Sequence, residues 1–282
     1  EKIADIVKAL FVKAEHEWLQ YGCATGLGLI THSLHSTDIG RLSEFATLLS
    51  QALKDNESEW VKFACATSLG LLGSSLYKQT SFTSSNANTE QATTATSSET
   101  SDTFKQSTLQ QIRATLQAVV VQEGGQAESK WSVLGGLVGQ EYLSSVWETT
   151  RDFGALKEQY TELVSYIKNA DLSKYPDSCL FLGACVSLPS IASRCFRLDL
   201  ITSADVGALL EMYQASLQSS VKYSVHCAPC IGAASLAHSA LVEGYSFPAK
   251  YLDNLEDTLI TFAKNRDNTF SRIGAVVGLA NL

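Results

Sequence analysis

The chain has 282 residues, 45% hydrophobic and 18% charged, against an average charged share of about 25% for globular proteins. Its 21 Lys and Arg against 29 Asp and Glu give a net charge of −8 and a pI near 5.2, which lacks the basic footprint of a nucleic-acid binder. Seven Cys at irregular spacing do not form the even, dense framework of a small secreted domain, so a reducing cytosol is the simplest setting, and only four Pro favour long helices over a turn-rich β-protein.

The N-terminal segment predicts an amphipathic helix, with Ile3, Ile6, Val7, Leu10, Phe11 and Ala14 on one stripe and Lys2, Asp5, Lys8 and Lys13 elsewhere. The pattern opens without a lead-in, which predicts a fragment of a larger protein. Next comes WLQYGCATGLGLITHSL, Trp18 to Leu34, which aligns without gaps on WVKFACATSLGLLGSSL, Trp60 to Leu76, at an offset of 42. Weaker copies follow at 131–143, 179–188, 230–241 and 271–282. Anchoring them on Ala24, Ala66, Gly135, Gly183, Gly232 and Gly274 gives offsets of 42, 69, 48, 49 and 42.

The long offset has a compositional cause. In residues 80–101, 13 of 22 are Ser or Thr, too polar to offset their own ordering entropy. We expect 79–103 to be a disordered insert, a tolerated surface loop or a phosphorylatable one.

Every later copy follows a segment with helical spacing and one apolar stripe. The stripes are Ile39, Leu42, Phe45, Leu49 and Leu53; Leu109, Ile112, Leu116 and Val119; Phe153, Leu156, Tyr160, Leu163 and Ile167; Val206, Leu209, Leu210, Tyr213 and Leu217; and Tyr251, Leu252, Leu255, Leu259 and Phe262. Thr37 before Asp38, Thr202 or Ser203 before Asp205, and Pro248 fit helix starts. The expected fold is all-α: one α-solenoid of about six helical hairpins over 1–282. In each hairpin the second helix is small and apolar nearly all round. Its small residues recur four apart, as in Ala24 and Gly28, Ala66 and Gly70, Gly135 and Gly139, and Gly274 and Gly278, where a neighbouring helix can approach closely. Each such Gly costs about 1 kcal/mol of helix propensity relative to Ala, so packing must return at least that much. The apolar helices should therefore lie in the centre, stacked on both sides.

Candidate sites are few. Cys227 and Cys230 form a CxxC pair, which reads as buried small residues, as half a zinc site, or as a thiol redox pair whose pKa should be depressed. Cys23 and Cys65 occupy equivalent repeat positions, which favours core packing. His226 and His238 lie more than three helical turns apart. His32 and His35 fit a helix end or loop, and Glu15, His16 and Glu17 fit a solvated turn. Trp18, Trp60 and Trp131 precede the small helices at matching positions, either stapling the turn against the next repeat or forming an exposed ladder for a partner peptide. Lys250, Lys264, Arg266 and Arg272, offset by Asp253, Glu256, Asp257 and Asp267, read as a solvated face. Residues 223–242 carry no Asp, Glu, Lys or Arg over a membrane-spanning length, but His226, His238, Pro229 and abundant Ala and Ser weigh against insertion. There is no nucleophile elbow, phosphate-cradling Gly loop or repeated carboxylate pair. We expect no catalytic, cofactor-binding or metal-binding residues, no small-molecule substrate and no direct nucleic-acid contact.

The segment Tyr21 to Leu53, YGCATGLGLITHSLHSTDIGRLSEFATLLSQAL, resembles the helical-repeat region of the focadhesin family of animals and plants. The likeness lies in the order of a Gly-Cys step, an LGL core, a small-residue helix ending in His-Ser, a polar turn and a Leu-rich helix. It implies a very large, non-enzymatic HEAT/armadillo-like scaffold, associated with focal adhesions in animals and supporting the cytosolic Ski complex and RNA exosome through protein contacts. The recurring Gly-rich helices are also similar to the shorter repeats of the large non-ATPase proteasome base subunits, a second scaffold family.

Overall fold

A computed structural model describes residues 2–31, 38–77, 95–121, 130–171, 177–218, 226–248, 250–266 and 268–282. Among these residues the structure is all-helical, with no strand. The helices are α1 (Lys2–Lys13), α2 (Glu17–Thr31), α3 (Ile39–Asp55), α4 (Glu59–Leu76), α5 (Ala95–Val120), α6 (Lys130–Thr150), α7 (Phe153–Lys168), α8 (Asp177–Arg197), α9 (Ser203–Gln218), α10 (Cys227–Val242), α11 (Tyr251–Lys264) and α12 (Thr269–Asn281). The chain divides into two compact units, Glu1–Thr150 and Arg151–Leu282.

The two units share an internal plan. In the first, α1 packs on α2, α3 on α4 and α5 on α6, while α2 packs on α4 and α4 on α6. In the second, α7 packs on α8, α9 on α10 and α11 on α12, while α8 packs on α10 and α10 on α12. The odd-numbered helices bury one stripe: Leu42, Phe45, Leu49 and Leu53 on α3, Ile112 and Leu116 on α5, Leu156 and Leu163 on α7, Val206, Leu209, Leu210 and Tyr213 on α9. Tyr213 also donates a hydrogen bond from its hydroxyl to the Cys185 carbonyl of α8 at 2.7 Å, so its polar tip is satisfied inside the core.

Helices α4, α6, α8 and α10 bury most of their circumference, because they have neighbours on several sides, whereas α2 and α12 each keep an exposed face. Their glycines sit where helix backbones meet. A Cβ on Gly139 of α6 would lie 2.6 Å from the Ala66 carbonyl oxygen of α4, and one on Gly135 would lie 2.8 Å from that of Phe63. In the second unit a Cβ on Gly274 would lie 2.6 Å from Cys227 Cα, and one on Gly278 would lie 2.7 Å from the Cys230 carbonyl oxygen. No larger residue fits these positions without moving a backbone. Ser68 of α4 strengthens the same contact by donating from Oγ to the Ala24 carbonyl of α2 at 2.9 Å.

Helix starts follow local chemistry. Thr202 and Asp205 form a reciprocal cap at α9: the Asp205 carboxylate accepts from the Thr202 N–H at 2.7 Å and from its hydroxyl at 2.8 Å, while Thr202 Oγ1 accepts from the Asp205 N–H at 3.3 Å. These bonds hold the Asp205 carboxyl below its ordinary pKa. Asp152 caps α7 by accepting from the Ala155 N–H at 3.0 Å. Asp38, which precedes α3, makes no side-chain cap bond. Pro229 lies in the first turn of α10, where its missing N–H leaves no intrahelical bond unmade.

Three readings of the sequence fall on the structure as follows. Residues 95–103 of the expected insert belong to α5, which begins at Ala95, and 79–94 lie outside the described residues. Helix α1 buries Ala4 and Phe11, but Ile3, Ile6 and Leu10 of its stripe stand 68%, 59% and 46% exposed. Residues 223–225 of the membrane candidate lie outside the described residues, and the rest forms α10, 16 residues long and shorter than a span. One helix, Ser178–Arg197, is long and apolar enough to cross a membrane, and 61% of its most apolar window is buried against protein.

The close approach at Gly139 gives a direct test. Gly139→Leu places a side chain against the α4 backbone and should lower stability by about 3 kcal/mol or more, at the upper end for overpacked cores. Gly40→Ala in α3, where nothing lies within 4 Å of the added carbon, should be neutral or stabilising. Denaturant titration of both variants measures the difference.

Candidate functional site

Trp18, Trp60 and Trp131 each occupy the second residue of an inner helix, α2, α4 and α6. The small-residue contacts bring these helices close in register, so the three indoles meet. The ring centroids of Trp18 and Trp60 are 5.9 Å apart with an interplanar angle of 33°, and those of Trp60 and Trp131 are 4.3 Å apart at 31°. Tyr21 meets Trp18 edge to face at 6.1 Å, and Phe63 meets Trp131 edge to face at 6.2 Å. Such pairs contribute about 0.5–1.5 kcal/mol each beyond their area burial. Trp60 and Trp131 are half-buried, whereas Trp18 is 54% exposed at one end of the row. The fourth tryptophan, Trp147, is buried beneath the Arg113 guanidinium, 5.2 Å from its ring centroid.

A polar network holds the first two turns beneath the row. Ser58 Oγ donates to Glu17 Oε2 at 2.8 Å, Asn56 Nδ2 donates to Gln20 Oε1 at 2.9 Å, and Gln20 Nε2 donates to the Ala14 carbonyl at 2.7 Å. His16 Nδ1 accepts from the Trp18 N–H at 3.3 Å, and Glu15, His16 and Glu17 are all exposed. Both sequence readings of the tryptophans therefore have a counterpart: the rings join successive repeats, and one end of the row is open to solvent. Sequence reasoning singled out the three Trp but missed the flanking pair. Tyr21 and Phe63 are themselves 42 residues apart, and that shared offset was the available signal.

The CxxC pair lies in a different setting. Cys230 is fully buried and Cys227 half-buried, both in the first turn of α10. Burial, with Cys227 as a smaller cause, pushes the Cys230 thiol up to about 12. Burial also raises Cys227, partly opposed by a hydrogen bond from the Gly274 N–H. The direction is opposite to the depression that a redox pair needs. The carbonyls of these two residues instead form the seat on which Gly274 and Gly278 of α12 rest. Cys65 is likewise buried and raised to about 12, and its repeat equivalent Cys23 is buried with a raised pKa. Among the described residues no group of three or more His, Cys, Asp and Glu is placed to hold a metal ion.

The remaining candidates are dispersed. His226 is buried with its ring 5.1 Å from Phe262, and His238 is exposed. His32 and His35 lie outside the described residues. Lys250, Lys264, Arg266 and Arg272 are exposed, as are Asp253, Glu256 and Asp257, while Asp267 lies outside the described residues. An open groove of about 270 Å³ in the second unit is lined by Ser165, Tyr166, Asn169, Ala170 and Leu180. Its phenol donates to Glu162 Oε1 at 2.5 Å, which together with burial keeps Tyr166 protonated.

Compared with protein-family models, with curated proteins and with solved structures, the chain matches none.

Two outcomes check this geometry. The stacked indoles should give an excitonic couplet in the far-ultraviolet circular dichroism near the indole band. Trp60→Phe, which interrupts the middle of the row, should abolish that couplet while Trp147→Phe leaves it. Thiol labelling at neutral pH should be slow at Cys65 and Cys230 until denaturant is added. Their unfolded thiols ionise near 9.0 while the folded ones stay protonated toward about 12, so stability should fall as pH rises between those values. Rapid stoichiometric labelling of Cys230 in the folded chain would contradict the burial.

Proposed function

We propose that this chain is a non-enzymatic protein-interaction scaffold: a HEAT/armadillo-like α-solenoid with three helical hairpins in each unit, of the kind found in the focadhesin family. The observation that carries the reading is the tryptophan row. Three aromatic side chains at one repeat position line up along the starts of α2, α4 and α6, with Trp18 open to solvent. A rigid row of amphipathic rings is a low-entropy binding element, because each indole has two torsions to fix and large area to bury. The raised thiols at Cys227 and Cys230 and the seating of α12 on their carbonyls support a packing role for the CxxC pair.

On this reading the chain works in the cytosol by holding protein partners, and the family resemblance names the Ski complex and its exosome adaptors as the first to test. Affinity capture with the 282-residue chain should retain Ski-complex components, and Trp18→Ala should reduce their recovery several-fold without changing the helical circular dichroism. Retention of proteasome subunits instead would favour the proteasome-base likeness. If Ski-complex components bind equally to wild type and Trp18→Ala, the tryptophan row is not the binding element.

A further inference from the structure

We propose that Pro189, Tyr213 and Gly232, on three different helices, form a conformational lock: proline removes one hydrogen bond inside α8, the Tyr213 hydroxyl of α9 replaces it, and α10 seats on the same carbonyl through Gly232. The cause lies in the backbone. A proline has no N–H, so the carbonyl four residues earlier loses its helical donor, and the ring crowds that carbonyl out of line. Helix α8 runs from Asp177 to Arg197 through Pro189, so the carbonyl concerned is that of Cys185.

That carbonyl is where α9 and α10 meet α8. Tyr213 donates to it from its hydroxyl at 2.7 Å. Cys185 and Tyr213 are both 0% exposed, so bulk water does not reach the oxygen and the phenol has to supply its donor. A Cβ on Gly232 would run into the same oxygen and would lie 2.5 Å from Tyr213 Cε1 and 3.0 Å from its Cζ. Glycine at 232 therefore leaves room both for the phenol to reach the carbonyl and for α10 to close over the pair.

Other helix glycines also rest on carbonyls, among them those of Phe63, Ala66, Cys227 and Cys230. The residues four further on, Thr67, Gly70, Ile231 and Ala234, all carry the N–H that a helix uses. Among the described residues whose carbonyls seat a glycine of another helix, Cys185 alone has proline in that place. The seam between α8 and α10 thus hangs on a hydrogen bond supplied by a third helix. Because a buried acceptor left without a partner costs more than an ordinary hydrogen bond contributes, loss of that one hydroxyl should loosen α9 and α10 from α8 together.

The test is the rate at which a thiol reagent labels Cys185 in the folded 282-residue chain, read by peptide mass spectrometry, with Cys65 of the first unit as the internal reference. A fully buried thiol reacts only when the helices around it open, so its rate follows the population of the open form. Tyr213→Phe keeps the ring and removes the donor, and should raise the Cys185 rate about tenfold or more. Pro189→Ala restores an N–H four residues after Cys185, and in that background Tyr213→Phe should raise the rate by no more than about threefold. Tyr251→Phe is the comparison: its hydroxyl donates to the Leu210 carbonyl at 3.5 Å, and the residue four further on is Gln214, so its effect should be the same in both backgrounds. Helical circular dichroism checks that each variant folds, with Pro189→Leu supplying the same N–H if Pro189→Ala does not. An unchanged Cys185 rate in Tyr213→Phe overturns the proposal. So does an equal rise with and without Pro189, which would mean that the hydroxyl serves the fold independently of the proline.

Discussion

The structure depends on one contact, the approach of inner-helix backbones to within the reach of a missing Cβ. Gly135 and Gly139 lie on the carbonyls of Phe63 and Ala66, and Gly274 and Gly278 lie on the backbone of Cys227 and Cys230. Glycine in a helix interior opposes helix formation by about 1 kcal/mol relative to Ala. The return comes from dispersion and burial along two helices that touch over their whole facing surface, which side chains would hold apart. The outer helices then need only one apolar stripe each, because the inner helices supply the rest of the core.

The tryptophan row is a consequence of that spacing. Side chains at a common repeat position in adjacent helices are separated by the interhelical distance, and small-residue packing brings that distance down to where indoles stack. The closest ring pair, Trp60 and Trp131 at 4.3 Å, joins α4 and α6, whose contact includes Gly70, Gly135 and Gly139. The same logic explains the CxxC pair. Cys is among the smallest apolar residues, and at positions 227 and 230 it lets α12 settle on α10 while its thiols stay protonated.

Much of this was legible in the sequence, for identifiable reasons. Glycine and alanine four apart, with no second explanation such as a phosphate loop, specify a helix face that another backbone must cover. Repeated Trp at an offset of 42 specifies equivalent positions. What the sequence left open was occupancy. The stripe of Ile3, Ile6 and Leu10 has the same periodicity as that of Leu42, Phe45 and Leu49, yet the first is exposed and the second buried. Periodicity identifies a face, whereas burial depends on what lies across from it. Composition likewise misplaced the start of α5. Ser and Thr disfavour helix interiors only weakly, so a helix built around Ile112 and Leu116 runs back through polar residues to Ala95. Spacing alone could not tell whether Cys227 and Cys230 were a thiol pair or a seat, because the deciding atoms belong to Gly274 and Gly278, more than forty residues away.

A seam made of carbonyl oxygens and absent side chains asks for very little chemical identity. It limits size at a few positions and makes no demand on which residue supplies the carbonyl, because a peptide carbonyl is the same whichever residue carries it. That accounts for the uneven likeness among the copies: Trp18–Leu34 and Trp60–Leu76 match closely, while those around Gly183 and Gly232 keep little beyond small residues and an apolar run. Copies held together this way can diverge until only their spacing is left in common. A chain of this kind then loses detectable kinship long before it loses its architecture.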